Sequence, residues 1–370
     1  MYYYLLLEWI KNPPDFIQFS KNITVRGVLA CFTSFFLGIL LGPFFIKMLN
    51  KLQFLNDTQK MNVEALRAEN KGKKNVPVMG GLLIIFCFLC SILLWARLDN
   101  SYVLWTILAT LGFGMVGFLD DLIKSSTHQN GLSSRGKLAL MLIVCLALGF
   151  VLWRTVRSNP SLTYLYFPFM RDLKISLAGA GGLVFVLFAM VVMIGSSNAV
   201  NLTDGMDGLA IGCTIIVSMA FTVIAYIVGR KDFAAYLSVT YIAGAGELSI
   251  CCAALVGAGL AFLWFNCFPA NVFMGDCGSL MLGGFLGYVA VALRQELLLF
   301  IVGGIFVLEA LSVIIQVSYF KLTGGKRVFR CAPIHYHFRM QGLNETKVTI
   351  RFLIIEALLA LFAIATLKLR

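Results

Sequence analysis

Asn198-Ala-Val-Asn-Leu-Thr-Asp-Gly-Met-Asp-Gly208 stands between two strongly apolar runs, residues 181–194 before it and 209–228 after it. Runs of that length and composition read as membrane-spanning helices, so the polar stretch is a turn at the edge of the hydrocarbon. Asp204 and Asp207 are three residues apart, each followed by a glycine, and Asn198 and Asn201 precede them at the same spacing. Polar groups are expensive at this depth, which makes a functional reading the default. The glycines let the backbone approach a ligand closely. Carboxylates and amides, with no thiol and no histidine in the stretch, suit a hard cation such as Mg²⁺ and the phosphates it carries. The simpler alternative is a tight polar turn joining two helices.

Composition extends the reading to the whole chain. Of 370 residues, 59% are hydrophobic and 13% charged. That balance excludes a soluble globular domain and predicts an all-α, polytopic integral membrane protein, taken as a single domain over 1–370. The formal net charge of +12 raises nucleic acid as a partner. Basic loops facing anionic headgroups account for it better, so no nucleic acid is expected. The cysteines within apolar runs (Cys90, Cys145, Cys213, Cys251, Cys252) read as small buried hydrophobes, and no zinc-type spacing occurs. The stretch 1–22 lacks a basic n-region and carries Glu8 and Asp15, so it does not read as a cleaved signal peptide.

About ten runs are long enough to span, near 23–48, 78–97, 102–120, 137–154, 174–196, 208–229, 236–262, 278–293, 297–321 and 349–368. The stretch 234–268 has no strong internal break and reads as one tilted helix with a longer exit. Ten crossings put 49–77, 121–136, 197–207, 263–277 and 322–348 on one face. That face carries Lys51, Lys60, Arg67, Lys71, Lys73, Lys74, Lys124, Arg135, Lys137, Lys326, Arg327 and Arg330. The positive-inside rule makes it cytoplasmic, although Arg157, Arg171 and Lys174 fall opposite. Both termini are then expected on the non-cytoplasmic side, with the active site on the cytoplasmic face.

Every other polar motif falls on that same face. Lys71-Gly-Lys-Lys-Asn-Val-Pro-Val-Met-Gly-Gly81 offers point charges for phosphate, although an ordinary basic flank explains it as well. Gly117-Phe-Leu-Asp-Asp-Leu-Ile-Lys124 ends an apolar helix on adjacent carboxylates, Asp120 and Asp121. They point about 100° apart and oppose the helix macrodipole, so something must compensate. Asn266 begins a turn that runs through Asn271-Val-Phe-Met-Gly-Asp-Cys-Gly-Ser279. It sets Asp276 at a helix mouth and leaves Phe273 as a lone aromatic able to stack on a base. Ala332-Pro-Ile-His-Tyr-His-Phe338 holds two of three histidines, His335 and His337, whose spacing predicts a loop or irregular piece. They could hold phosphate, relay protons or bind metal. His128, in a polar stretch, reads as solvated. Five carboxylates with lysines and histidines on one membrane face describe a metal-dependent site handling phosphate at the bilayer surface.

These four motifs, from Gly117-Phe-Leu-Asp-Asp to Ala332-Pro-Ile-His-Tyr-His-Phe, resemble the phospho-N-acetylmuramoyl-pentapeptide-transferases, within the polyprenyl-phosphate N-acetylhexosamine-1-phosphate transferase superfamily. The resemblance runs from about Lys51 to the C-terminus and includes Leu293-Arg-Gln-Glu296 and Ser312-Val-Ile-Ile-Gln316. It implies a multi-pass enzyme of the bacterial cytoplasmic (inner) membrane acting in peptidoglycan synthesis. Undecaprenyl phosphate and UDP-MurNAc-pentapeptide would give lipid I and UMP, with Mg²⁺ required and a homodimer expected. By resemblance, Asp276 is the metal-binding aspartate, with Asp204 beside it. Asp120 and Asp121 are the pair acting on the lipid phosphate, and Phe273 stacks on uracil. Asn201, Asp204 and Asp207 line the nucleotide and metal pocket, with Asn266, Lys124 and Lys137 counted among the substrate-binding residues. Lys73 is the active-site lysine, and His335 and His337 belong to the histidine motif.

Three departures stand out. Val76 and Val78 flank Pro77 where the family carries threonines, Tyr336 interrupts the histidine triplet, and Arg339 replaces an acidic residue. Two rivals stay open. A sister transferase moving GlcNAc-1-phosphate differs in its histidine motif. A transporter would place carboxylates near the midplane and often show repeats.

Overall fold

The computed structural model describes residues 20–52, 76–127, 131–170 and 173–369. The apolar runs are helices because backbone N–H and C=O groups at hydrocarbon depth must be satisfied within their own segment. In chain order they are α1 Ile23–Lys51, α2 Gly81–Trp95, α3 Ser101–Thr127, α4 Ser134–Val156, α5 Leu183–Thr203, α6 Leu209–Val228 and α7 Lys231–Leu237. There follow α8 Glu247–Asn266, α9 Gly275–Ala292, α10 Glu296–Val302, α11 Gly304–Leu322, α12 Ile334–Arg339 and α13 Glu345–Thr366. A two-stranded antiparallel hairpin, β1 Tyr164–Tyr166 and β2 Lys174–Ser176, pairs Leu165 with Ile175. Among the described residues nine helices are long and apolar enough to cross a membrane, and α2 is a shorter apolar one. At 1.5 Å per residue α2 is about 22 Å long. The protein is a multi-pass, all-α membrane protein.

The helix ends follow local chemistry. Asn100 caps α3 by accepting from Tyr102 N at 2.9 Å, and Ser133 caps α4 by accepting from Gly136 N at 3.2 Å. Three expected boundaries are corrected. Residues 236–262 are not one tilted helix: α7 ends at Ser238, whose φ is 58°, and α8 begins only at Glu247. The break is fixed by Asn100, whose amide donates to Gly244 O at 2.9 Å, and by Glu247, which is drawn into an ion pair. Within that stretch α8 is the one described helix long and apolar enough to cross a membrane. The start of the 174–196 run is strand and turn, and α5 begins at Leu183. The 297–321 run is divided at Gly303 into α10 and α11.

Lipid supplies no hydrophobic drive between helices, so close packing at small residues does the holding. Gly283 and Gly287 on α9 admit Ser196, Ser197 and Met193 of α5 at distances that leave no room for a Cβ. In its most apolar stretch α9 is 89% buried by neighbours, against 22% for α1. Helix α9 is therefore the axis of the bundle. Helix α1 is a wall, presenting Phe32, Phe36, Leu40 and Phe44 outward.

The two ends of the bundle carry separate polar networks. At one end Arg26 grips Glu247 bidentately, at 2.9 and 2.6 Å, and donates to Trp95 O. At that same end Arg294 pairs with Glu296 at 2.7 Å and donates to Tyr164 O, tying the hairpin to α9. The opposite end holds the candidate site.

Candidate active site

The site grows from the mouth of α9. Gly117 on α3 lies so close to the Asp276 carbonyl that a Cβ there would overlap it, and this contact seats the end of α3 against the start of α9. Asp276 is then the point where three other helices meet. Its Oδ2 receives Lys124 Nζ from α3 and Lys137 Nζ from α4, each at 2.7 Å. Its Oδ1 receives the Asn201 amide of α5 at 2.8 Å, and the same amide reaches Ser279 Oγ at 2.8 Å.

The adjacent aspartates of α3 diverge as their helical spacing requires. Asp120 Oδ1 accepts from Leu132 N at 2.7 Å, and its Oδ2 takes Lys124 at 2.7 Å and Lys137 at 3.3 Å. Asp121 turns toward α9 and accepts from Cys277 N at 2.9 Å. Helix α3 runs on to Thr127 and does not end at the aspartates as expected, so the two lysines offset their charges directly and not a helix-end dipole.

A second cluster continues from the end of α5. Gly208, with φ 74°, opens α6, and its N–H donates to Asn266 Oδ1 at 3.1 Å. The Asn266 amide donates to Val272 O at 2.8 Å, so this buried side chain clamps the 204–208 turn to the 267–274 loop. Asp207 Oδ2 accepts from Ala270 N at 3.1 Å, and Asp207 N donates to Glu345 Oε1 at 2.9 Å. Arg339 pairs with Glu345 at 3.2 Å, so the arginine that departs from the family pattern fastens α12 to α13. Asp204 caps α5 between the two clusters. Burial pushes its carboxyl up to about 8, and the charges of Asp276, Asp121 and Asp207 add to the rise.

The 76–81 segment is held to the same loop through its backbone. Phe273 N donates to Pro77 O at 2.8 Å, Gly80 N to Phe273 O at 2.8 Å and Gly81 N to Met274 O at 2.9 Å. Val76 and Val78 therefore flank a strap that needs no hydroxyl for its architecture. Lys73 and His128 lie outside the described residues.

The histidine segment differs from its expected loop: it is the short helix α12. A cap at Pro333, which cannot donate, starts a single turn that sends His335 inward and leaves His337 partly exposed. His335 is fully buried, with Nδ1 3.0 Å from Glu309 Oε2. His337 Nδ1 accepts from Arg330 N at 3.1 Å, and its Nε2 lies 2.9 Å from the Gln341 amide. Tyr336 donates to Gly205 O at 3.1 Å and packs its ring on His335 at 4.1 Å between centroids.

Glu309 and Glu345 were missed from sequence. An ionisable residue inside the apolar 297–321 run was itself the signal for Glu309. Glu345 carried only the weaker mark of an acidic first turn on a helix.

The donor set fits Mg²⁺. Asp276, Asp204, Asp121 and Asp120 present oxygen only, and with all four ionised the two lysines leave a formal −2 that a divalent cation offsets. Among the described residues no group of three His, Cys, Asp or Glu forms a closed metal cage. Mg²⁺ seldom uses one, relying on one or two carboxylates together with water and substrate phosphates.

A helical membrane bundle whose carboxylates, lysines and amides converge at one end belongs to the class of membrane-embedded transferases, and residues 103–294 match the family model described as Glycosyl transferase family 4. A protein of Nitratidesulfovibrio vulgaris named phospho-N-acetylmuramoyl-pentapeptide-transferase is 48% identical over 371 residues, 99% of each chain. Proteins of the same name from Solidesulfovibrio magneticus and Oleidesulfovibrio alaskensis are 47% identical over all of both chains and 46% identical over 95% of each. The chain belongs to the phospho-N-acetylmuramoyl-pentapeptide-transferase family.

Proposed function

We propose that this protein transfers phospho-MurNAc-pentapeptide from UDP-MurNAc-pentapeptide to undecaprenyl phosphate, giving lipid I and UMP in bacterial peptidoglycan synthesis. The observation that carries the reading is end-to-end similarity to relatives named for that transfer. The junction of three helices at Asp276 supports it.

An oxygen of the lipid phosphate forms a bond to the phosphorus attached to the sugar, and the bond from that phosphorus to the UMP oxygen breaks. Both reactants are anionic, so their approach needs nearby positive charge. Lys124 and Lys137 supply it, held by Asp120 and Asp276, and by resemblance to the family Lys73 would add to it. Asp276 and Asp204 would hold Mg²⁺, which when bound offsets charge on the diphosphate. Phe273 stacks on uracil, Asn201 and Asp207 line the nucleotide pocket, and Asn266 holds the loop carrying Phe273 in place. The lipid phosphate meets the Asp120–Asp121 end of α3 at headgroup depth.

The transfer is a single displacement. Radiolabelled UMP should exchange into UDP-MurNAc-pentapeptide only when undecaprenyl phosphate is present, and UDP-GlcNAc should not replace the donor. Exchange without lipid would overturn the single displacement, and transfer from UDP-GlcNAc would favour the sister activity.

The enzyme sits in the cytoplasmic membrane as a homodimer, with its site facing the cytoplasm and both termini outside. Support comes from the shared bundle end of the described site residues and from the basic residues that the sequence places in the loops of that face. Reporter fusions after Lys74 and after Arg370 should report opposite sides of the membrane. The same side for both would refute the topology.

A further inference from the structure

We propose that Glu309 is a positioning residue that fixes His335 as a hydrogen-bond donor, presenting Nε2–H beside Gly205 to an anionic oxygen on the Asp204 side of that glycine. Its consequence for turnover rests on the transferase reading, whereas its spectroscopic test does not.

The geometry sets the argument. Glu309 on α11 and His335 on α12 are both fully buried, and Glu309 Oε2 lies 3.0 Å from His335 Nδ1. Glu309 Oε1 and His335 Nε2 have no hydrogen-bond partner among the described residues. The unpartnered Nε2 is pressed against Gly205, where a Cβ would overlap it. The Tyr336 hydroxyl lies against the same glycine and within electrostatic reach of Asp204.

Charge then decides which nitrogen carries hydrogen. Among the described residues no lysine or arginine pairs with Glu309. A second fully buried carboxyl, Glu356 of α13, acts electrostatically on the same Cys213 thiol of α6 as Glu309 does. Glu356 accepts from Ile305 N at 2.9 Å and likewise has no cation. An isolated net negative charge is strongly disfavoured here, so the Glu309–His335 pair is neutral overall. Three neutral arrangements exist. A protonated Glu309 donates from Oε2 to a bare Nδ1, ionised Glu309 accepts from an imidazolium, or a Glu309 protonated on Oε1 accepts at Oε2 from Nδ1–H and leaves Nε2 bare. The third buries an O–H with no acceptor, because Oε1 has no partner among the described residues, so the first two are favoured and Nε2 carries a hydrogen. His335 is therefore a donor toward anionic oxygen and not a base.

This reverses the logic of a base-type triad. There, replacing the carboxylate by its amide costs about 10⁴-fold because it forces the wrong tautomer. Here the amide of Glu309→Gln donates to Nδ1 and leaves hydrogen on Nε2, the state required. Glu309→Gln should keep kcat within about threefold, because one neutral hydrogen bond replaces another. Glu309→Leu should lower kcat about 10²-fold with KM little changed, as loss of a donor to developing charge does. His335→Phe should match it, and the double variant should be no worse than either single one.

The decisive measurement is the ¹⁵N spectrum of selectively labelled histidine in the wild-type enzyme, which has three histidines. The His335 signals are assigned by their loss in His335→Phe. A protonated Nε2 is expected. A bare Nε2 with hydrogen on Nδ1 alone would overturn the proposal. So would Glu309→Gln as damaging as Glu309→Leu in protein that remains monodisperse. Titrating UMP onto the labelled enzyme tests the recipient. A moved Nε2 resonance is expected, with nucleotide phosphate as the oxygen it meets, and an unmoved one would overturn the presentation of Nε2–H to a bound anion.

Discussion

Asp276→Asn is expected to lower turnover about a thousandfold, which corresponds to roughly 4 kcal/mol of transition-state stabilisation, while the protein remains folded in the membrane. The loss is large because one carboxylate serves several partners. Its Oδ2 holds the ammonium groups of Lys124 and Lys137, and its Oδ1 orients the Asn201 amide. An asparagine keeps the shape but removes the charge. Its NH₂ must also face either a lysine or another amide donor, so at least one contact becomes donor against donor. The lysines then lean on Asp120 alone and lose the positions from which they offset phosphate charge. A carboxylate that would help hold Mg²⁺ is lost in the same change. Folding is spared because α9 is gripped along its length by α5 and α3, far from this end. The measurement is kcat at saturating Mg²⁺, with elution profile and Tm in detergent as controls. Turnover within tenfold of the unsubstituted protein would remove Asp276 from the centre of the site.

Much of this was legible in the sequence, for a physical reason. Hydrocarbon forces polar residues to justify themselves, so Asp120, Asp121, Asp204, Asp207 and Asp276 stood out against apolar runs. Alternation of crossings then placed them together without knowledge of packing. The pairings across helices were not legible. Nothing in the spacing of Lys124 and Lys137 says that both ammonium groups meet one oxygen of Asp276. Nor does it say that Asn266 spends its amide on Gly208 and Val272. Those contacts depend on which helix faces are neighbours, and strongly apolar segments carry little directional pattern to reveal it. The break before α8 was hidden for a related reason. Val239 and Ile242 look like continuing helix, whereas Asn100 and Arg26 act on that segment from far away in sequence.

Asp120→Asn is expected to lower the rate about a hundredfold, by the same amount at pH 6 and at pH 8.5. A general base would behave otherwise. The second pKa of a phosphate monoester is about 6, so at pH 8.5 the lipid phosphate is already dianionic and has no proton to give up. Loss of a base would therefore hurt most near pH 6, which is the outcome a proton-abstracting Asp120 requires. The surroundings of Asp120 favour the flat profile. Its Oδ1 accepts from Leu132 N at 2.7 Å, and its Oδ2 is shared by Lys124 at 2.7 Å and Lys137 at 3.3 Å. Three of its roughly four acceptor sites are taken by two ammonium groups and a backbone amide, so its main task is to hold them. It acts instead as the second hand that, with Asp276, fixes both lysines. Its loss should accordingly overlap with theirs: Asp120→Asn combined with Lys137→Met should cost clearly less than the two separate losses multiplied together. The check is kcat for wild type, each single variant and the pair across pH 6 to 8.5. A defect that shrinks severalfold as pH rises would make Asp120 a base, and strictly multiplicative losses would separate it from Lys137.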